Sequence, residues 1–101
     1  MAFKGVPFSF KAVPWQYQGQ GAWVFVDLPK DTANEIRSIF KNEEQGWGRL
    51  QITAKIGNTE WKSAIWYDTK RKTYLLPLKA EIRNKEAVEI GVECAVRIWV
   101  W

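Results

Sequence analysis

Histidine is absent from this 101-residue chain, and cysteine occurs once, at Cys94. The chain therefore lacks the commonest metal ligand and the side chain that most often acts as a general base near neutral pH. A single cysteine forms no disulfide within the chain and no two-thiolate metal site, which fits a reducing compartment. We expect no metal, no cofactor and a cytoplasmic location.

Long apolar runs are also missing. No segment approaches the roughly 20 apolar residues that span a bilayer, and residues 1–10 carry no apolar run of signal-peptide length. The net charge of +4 and the pI near 9.3 are modest, and solubility alone explains them. The sequence predicts one domain over residues 1–101 with no membrane partner, existing as a monomer or a homodimer.

Alternating apolar and polar residues predict strands. The clearest case is 49–56, where Leu50, Ile52, Ala54 and Ile56 alternate with polar residues. A hairpin turn at 57–58 and a return strand over 59–67 follow. Similar patterns predict strands at 8–12, 22–28, 73–78 and 94–101. Six or so consecutive strands favour antiparallel pairing into a mainly β fold, a small closed or split β-barrel.

One amphipathic α-helix is predicted at about 31–43. It begins after Pro29, where Asp31 or Thr32 can cap its first free N–H groups. Its apolar positions share one face, namely Ala33, Ile36, Ile39 and Phe40. Residues 80–85 can form one short helical turn.

Two segments of the chain are alike. Residues 26–30, Val-Asp-Leu-Pro-Lys, precede Ile36-Arg37, and residues 75–79, Leu-Leu-Pro-Leu-Lys, precede Ile82-Arg83. In each segment an apolar strand meets a proline, which removes a backbone donor and ends strand pairing. The similarity predicts a pseudo-twofold repeat with Pro29 and Pro77 at equivalent corners. Chance remains the alternative, because prolines are common at strand ends.

The order of these motifs resembles a bacterial family, the domain-of-unknown-function family nineteen-oh-five. The resemblance rests on residues 21–29 (Gly-Ala-Trp-Val-Phe-Val-Asp-Leu-Pro), 48–49, 56–57 before 61–63, and 74–78 before 82–83. It implies a double-split β-barrel, a fold class shared with DNA-binding proteins of the AbrB and MazE type. It implies no activity, because the family has no established one.

Seven tryptophans are the chain's strongest compositional oddity. Trp99 and Trp101 share a strand face with Arg97, and Trp61 and Trp66 fall on opposite faces of their strand. Exposed aromatic rings beside arginines often mark binding surfaces, although rings also fill cores and interfaces. The leading hypothesis is a non-catalytic module that binds a small molecule or peptide. Its predicted pocket residues are Trp47, Arg49, Trp61, Trp66, Arg83 and Trp99.

Two other functions stay open. A DNA-binding regulator would use the basic cluster Lys70, Arg71 and Lys72, which otherwise forms an ordinary solvated hairpin tip. An enzyme would need converging carboxylates, and those of this chain are scattered. Asp27, within an apolar strand, is expected to hydrogen-bond nearby backbone, and Cys94 is expected to be a core residue.

Overall fold

Seven strands and two α-helices make up the part of the chain that this computed structural model describes, residues 5–19, 21, 23–44 and 48–101. The strands are β1 (Val6–Ala12), β2 (Trp15–Gln16), β3 (Val24–Asp27), β4 (Arg49–Ile56), β5 (Thr59–Asp68), β6 (Thr73–Pro77) and β7 (Cys94–Val100). The helices are α1 (Lys30–Phe40), which continues into a 3-10 turn at Lys41–Glu43, and α2 (Ala80–Lys85). None of the described helices is long and apolar enough to cross a membrane.

All seven strands join one antiparallel sheet in the order β1-β7-β4-β5-β6-β3-β2. Its two edge strands, β1 and β2, are separated in the chain by Val13 and Pro14 alone. The sheet must therefore curl until its edges approach one another, which produces a half-barrel. The prediction of a mainly β split barrel is confirmed.

The concave side of the sheet holds the core. Along β4, Leu50, Ile52, Ala54 and Ile56 are buried, while Arg49 and Lys55 are exposed on the convex side. Ala33 and Ile36 of α1 join the same cluster and are fully buried. Each large aliphatic side chain buried in this way contributes about 1.5–3 kcal/mol. The sheet therefore has an inner face covered by core and an outer face open to solvent.

The β3–β6 ladder carries the repeat. Leu28 N–H donates to the carbonyl of Tyr74 at 3.0 Å, and Leu78 N–H donates to the carbonyl of Val24 at 2.8 Å. The same difference in residue number relates Leu28 to Leu78 and Val24 to Tyr74. Between these two bonds, Val26 is the cross-strand partner of Leu76. The two bonds are thus related by a local twofold axis.

The corners of this repeat differ from the prediction. Pro29 is the N-cap residue of α1, and the matching N-cap residue of α2 is Lys79, with the same extended backbone. Pro77 lies inside β6, paired with Phe25. The φ of proline, near −65°, suits both the end of a strand and the start of a helix. Matching the two prolines therefore did not give the correct alignment of the two repeat segments. The predicted side-chain cap is also wrong, because α1 begins at Lys30 without one.

Candidate ligand-binding groove

An aromatic cluster occupies the outer face of β2, β3, β6 and β5. Phe25 is paired with Trp15 on one side and with Pro77 on the other. One row along, Leu75 is paired with Asp27 and with Trp66. Because successive side chains of a strand point to opposite faces, these residues turn away from the core formed by their neighbours Val24, Val26 and Leu76.

Phe25 is the centre of the ring contacts. Trp23 lies nearly parallel to it, with ring centroids 6.0 Å apart and an 8° angle between planes. Trp15 is tilted against it at 5.4 Å, and Tyr17 meets it edge-on at 6.5 Å. Trp23 is 54% exposed and Tyr17 49%. Contiguous exposed apolar surface often marks an interaction site, so this cluster is a candidate site.

The rings border an open groove of about 350 Å³. Its walls are Tyr17, Trp23, Phe25, Trp66 and Leu75. This volume falls within the range of small-molecule sites, about 300–1,000 Å³. The side chains of these five residues present carbon, the two indole nitrogens and the Tyr17 hydroxyl to the groove.

A polar triad closes one end of the cluster. Asp27 Oδ1 accepts a hydrogen bond from Trp15 Nε1 at 2.8 Å, and Asp27 Oδ2 accepts one from Arg71 Nε at 2.9 Å. The Arg71 guanidinium also lies over the Trp15 ring, 4.1 Å from its centroid. Asp27 therefore binds two distant side chains, and the expectation that it would bind nearby backbone is wrong.

The turn between β5 and β6 orients Arg71. Asp68 Oδ1 accepts the backbone N–H groups of Lys70 at 2.8 Å and of Arg71 at 2.9 Å. Lys72 completes the turn with a φ of 57°. Within the predicted basic cluster, Arg71 thus turns toward the aromatic surface, while Lys70 and Lys72 are exposed at the hairpin tip.

The six predicted pocket residues are distributed over several places. Arg49 and Trp66 are direct cross-strand partners on the outer face. Trp61 lies on the opposite face of β5 and packs against the core, and its buried Nε1 has no hydrogen-bond partner among the described residues. Trp99 lies on the outer face of β7, in the other half of the sheet. The structure therefore brings together Arg49 and Trp66 and separates them from Trp61 and Trp99.

The remaining two predicted residues lie elsewhere. Arg83, on α2, donates from Nε to the Leu78 carbonyl at 3.1 Å and borders a second cavity of about 340 Å³ that also touches Trp23. Trp47 lies outside the described residues.

Sequence reasoning missed Trp15, Tyr17, Trp23 and Phe25 as groove residues. Their signal was two aromatic pairs at i, i+2 spacing, 15/17 and 23/25, on either side of a glycine-containing turn. That spacing places both members of a pair on one face of an extended chain. The backbone bond from Tyr17 N–H to the Trp23 carbonyl, 2.9 Å, brings the pairs together.

A second cluster links α1 to the sheet and is structural. The buried Tyr74 hydroxyl donates to Glu44, and Arg37 Nη1 lies 3.9 Å from the same carboxylate. The Arg37 guanidinium also lies 3.8 Å from the centroid of the Tyr67 ring. Burial, followed by the bond to Glu44, raises the pKa of Tyr74 above its ordinary value, so the phenol stays protonated.

Comparison with known proteins identifies the family. The chain belongs to the family described as Domain of unknown function (DUF1905), whose model matches residues 10–98, as the motif order predicted. No curated protein matches the sequence.

Proposed function

We propose that this member of a family without an assigned activity is a non-catalytic binding module. Its ligand is a planar small molecule with an anionic group, held in the outer-face groove between Trp23 and Trp66. The observation that carries the proposal is an open, largely apolar groove of about 350 Å³. Arg49 is the cross-strand partner of its wall residue Trp66, and Arg71 binds Asp27, the cross-strand partner of its wall residue Leu75.

A flat ligand suits the arrangement of the rings. Trp23 and Phe25 already lie within 8° of parallel, so an aromatic ligand can extend this stack across the groove toward Trp66. Offset-stacked aromatic pairs contribute about 0.5–1.5 kcal/mol beyond the area that they bury. The rings are also held before binding, because Phe25 contacts three of them and Asp27 holds the Trp15 indole.

The two arginines near the groove favour a ligand that carries an anionic group. Arg71 is paired with Asp27, so that guanidinium is positioned but largely neutralised. Arg49, exposed beside Trp66, is the cation better placed to receive a ligand carboxylate. Arginine binds carboxylates through two parallel N–H donors, which gives orientation as well as affinity.

The chemical groups of the groove walls favour binding over catalysis. Among the described residues, the side chains of these walls include neither a carboxylate nor a thiol, and the nearby Asp27 carboxylate is occupied by Trp15 and Arg71. A reaction would require a nucleophile or a general acid or base within reach of the bound molecule.

The test is a calorimetric titration with naphthoate and with the neutral naphthamide. For ligands of this size, at about 0.3–0.4 kcal/mol per heavy atom, naphthoate should bind with a Kd on the order of 0.1–1 mM. Trp66→Ala should weaken both ligands about tenfold or more. Arg49→Gln should weaken naphthoate and leave naphthamide unchanged.

Trp101→Ala is the matched control, because it removes an exposed indole from the other half of the sheet. It should leave the binding of naphthoate unaltered. Equal affinities in Trp66→Ala, Trp101→Ala and the parent protein would refute the groove as the site.

A further inference from the structure

A second outer surface spans β1, β7 and β4. Arg97 of β7 is the direct cross-strand partner of Lys55 on one side and of Ser9 on the other. Lys11 lies one outward position further along β1, opposite Ala95. All three cations are exposed, because the alternate residues of these strands point into the core. We refer to this surface as the basic face.

The basic face lies on the convex side of the sheet, but it is not flat. A depression of about 480 Å³ is bordered by Lys11, Lys55 and Arg97, together with the small residues Ser9, Gly57 and Ala95. Small residues between long cationic ones leave room for a chain to lie against the strands.

The charges of the basic face are unbalanced. Lys55 and Arg97 are like charges directly opposite each other, an arrangement that destabilises a sheet. The registers place one carboxylate in this row, Glu60, on the far side of Lys55 from Arg97. An anion seated between Lys55 and Arg97 would relieve their repulsion.

Two indoles adjoin these cations. Trp99 follows Arg97 by two residues on the same face, and the guanidinium lies 5.4 Å from its ring centroid. Trp101 is 53% exposed, and its Nε1 lies 3.2 Å from the Thr53 hydroxyl. Residues two apart on a strand are spaced about 6.8 Å, a distance that successive bases of an extended single strand can span.

We propose that the basic face binds single-stranded nucleic acid. Lys11, Lys55 and Arg97 contact phosphates, and unpaired bases stack on Trp99 and Trp101. A cationic groove combined with stacking rings is the general means of binding single strands without sequence preference. A duplex keeps its bases stacked on one another and offers these rings no free base faces. This surface differs both from the aromatic groove and from the hairpin tip that carries Lys70 and Lys72.

The experiment measures fluorescence anisotropy of a labelled oligothymidine of about 12 nucleotides, a length within the site sizes of single-strand binders. Binding should appear at low salt and weaken as salt rises, with a logarithmic slope of about −2 for three phosphate contacts. A duplex of equal length should compete poorly, and inorganic phosphate should compete only at far higher concentration.

Two charge-matched variants locate the site. The double variant Lys55→Gln/Arg97→Gln should lower affinity at least tenfold and reduce the salt slope by about 1.4. The control Lys70→Gln/Lys72→Gln removes the same charge from the hairpin tip and should leave both quantities unchanged. Trp99→Leu should lower affinity without changing the slope, and Trp99→Phe should restore most of it.

Four results would overturn the proposal. They are an absence of binding at low salt, an equal loss in the hairpin control, displacement by phosphate at the concentration of the oligonucleotide, and binding to anionic vesicles that surpasses oligonucleotide binding.

Discussion

Arg71 Nε lies 2.9 Å from Asp27 Oδ2, although 44 positions separate the two residues in the chain. The same carboxylate accepts the indole N–H of Trp15. One side chain thus joins the β5–β6 turn, β3 and the short edge strand β2. Because Trp15 packs against Phe25, this contact also supports the ring at the centre of the candidate groove.

Replacing Asp27 with Asn should destabilise the protein by about 1 kcal/mol, measured by urea unfolding. The loss of stability is limited because the Asp27 side chain is 30% exposed and the Arg71 side chain 42%, so solvent screens the pair. A double-mutant cycle with Arg71→Gln should show a coupling of about 0.5–1 kcal/mol. Glu81→Gln, which breaks the more exposed pair with Lys85, serves as the control and should cost about 0.3–0.5 kcal/mol. Equal costs for Asp27→Asn and Glu81→Gln would contradict the role of Asp27.

Two glycines with positive φ should respond differently to substitution by alanine. At Gly5, φ is 115° and a Cβ would collide with the Val100 carbonyl, so Gly5→Ala should cost about 3 kcal/mol or more. At Gly91, φ is 86° but a Cβ would meet nothing within 4 Å, so Gly91→Ala should cost about 1 kcal/mol. Thermal unfolding of both variants measures the difference. Similar losses of stability in the two variants would show that the positive φ, and not the collision with Val100, determines the cost of Gly5→Ala.

Local pattern predicted the long strands well and the site poorly. The strict alternation of β4 predicted its bounds, 49–56, and the two-residue turn at 57–58 then determines that Arg49 faces Trp66. The short strand β2 has no alternating run to mark it, because it is two residues long, and among the described residues it pairs with β3 alone.

The groove itself depends on long-range pairing. Trp66 shares it with Trp23 because β6 inserts between β5 and β3, an order that sequence periodicity does not contain. Alternation likewise placed Trp61 and Trp66 on opposite faces of β5. It could not say which face would be covered by core.

Stability should fall at alkaline pH through Tyr74. Its pKa in the folded protein is raised above the ordinary 10.0. The contribution of Tyr74 to the free energy of unfolding is therefore fully present below pH 10. It is lost as pH rises further, because Tyr74 then ionises in the unfolded chain but not in the folded protein. For one proton the decline approaches about 1.4 kcal/mol per pH unit.

Urea unfolding at a series of pH values measures this decline. Tyr74→Phe keeps the ring, which packs edge-on against Tyr67 at 5.3 Å. This variant should remove the contribution of one proton from the slope of unfolding free energy against pH. An unchanged slope in Tyr74→Phe would assign the alkaline loss to other groups.

Cys94 should react slowly with thiol reagents while the protein is folded. The thiol is half-buried against the core, and this burial, followed by the charge of Glu93, raises its pKa. Because the thiolate is the reactive form, labelling with a disulfide reagent near neutral pH should accelerate markedly in urea. Equal rates in the folded and unfolded protein would place the thiol at the surface.

The proposed function requires Trp23 and Trp66 to bind a planar anion in the aromatic groove. The most direct test follows the indole N–H signals in a nitrogen-15 NMR spectrum during addition of naphthoate, with signals assigned by single Trp→Phe variants. The indole signals of Trp23 and Trp66 should shift saturably, and those of Trp99 and Trp101 should stay constant. Constant signals from Trp23 and Trp66 at saturating naphthoate, or shifts confined to Trp99 and Trp101, would contradict the proposed function.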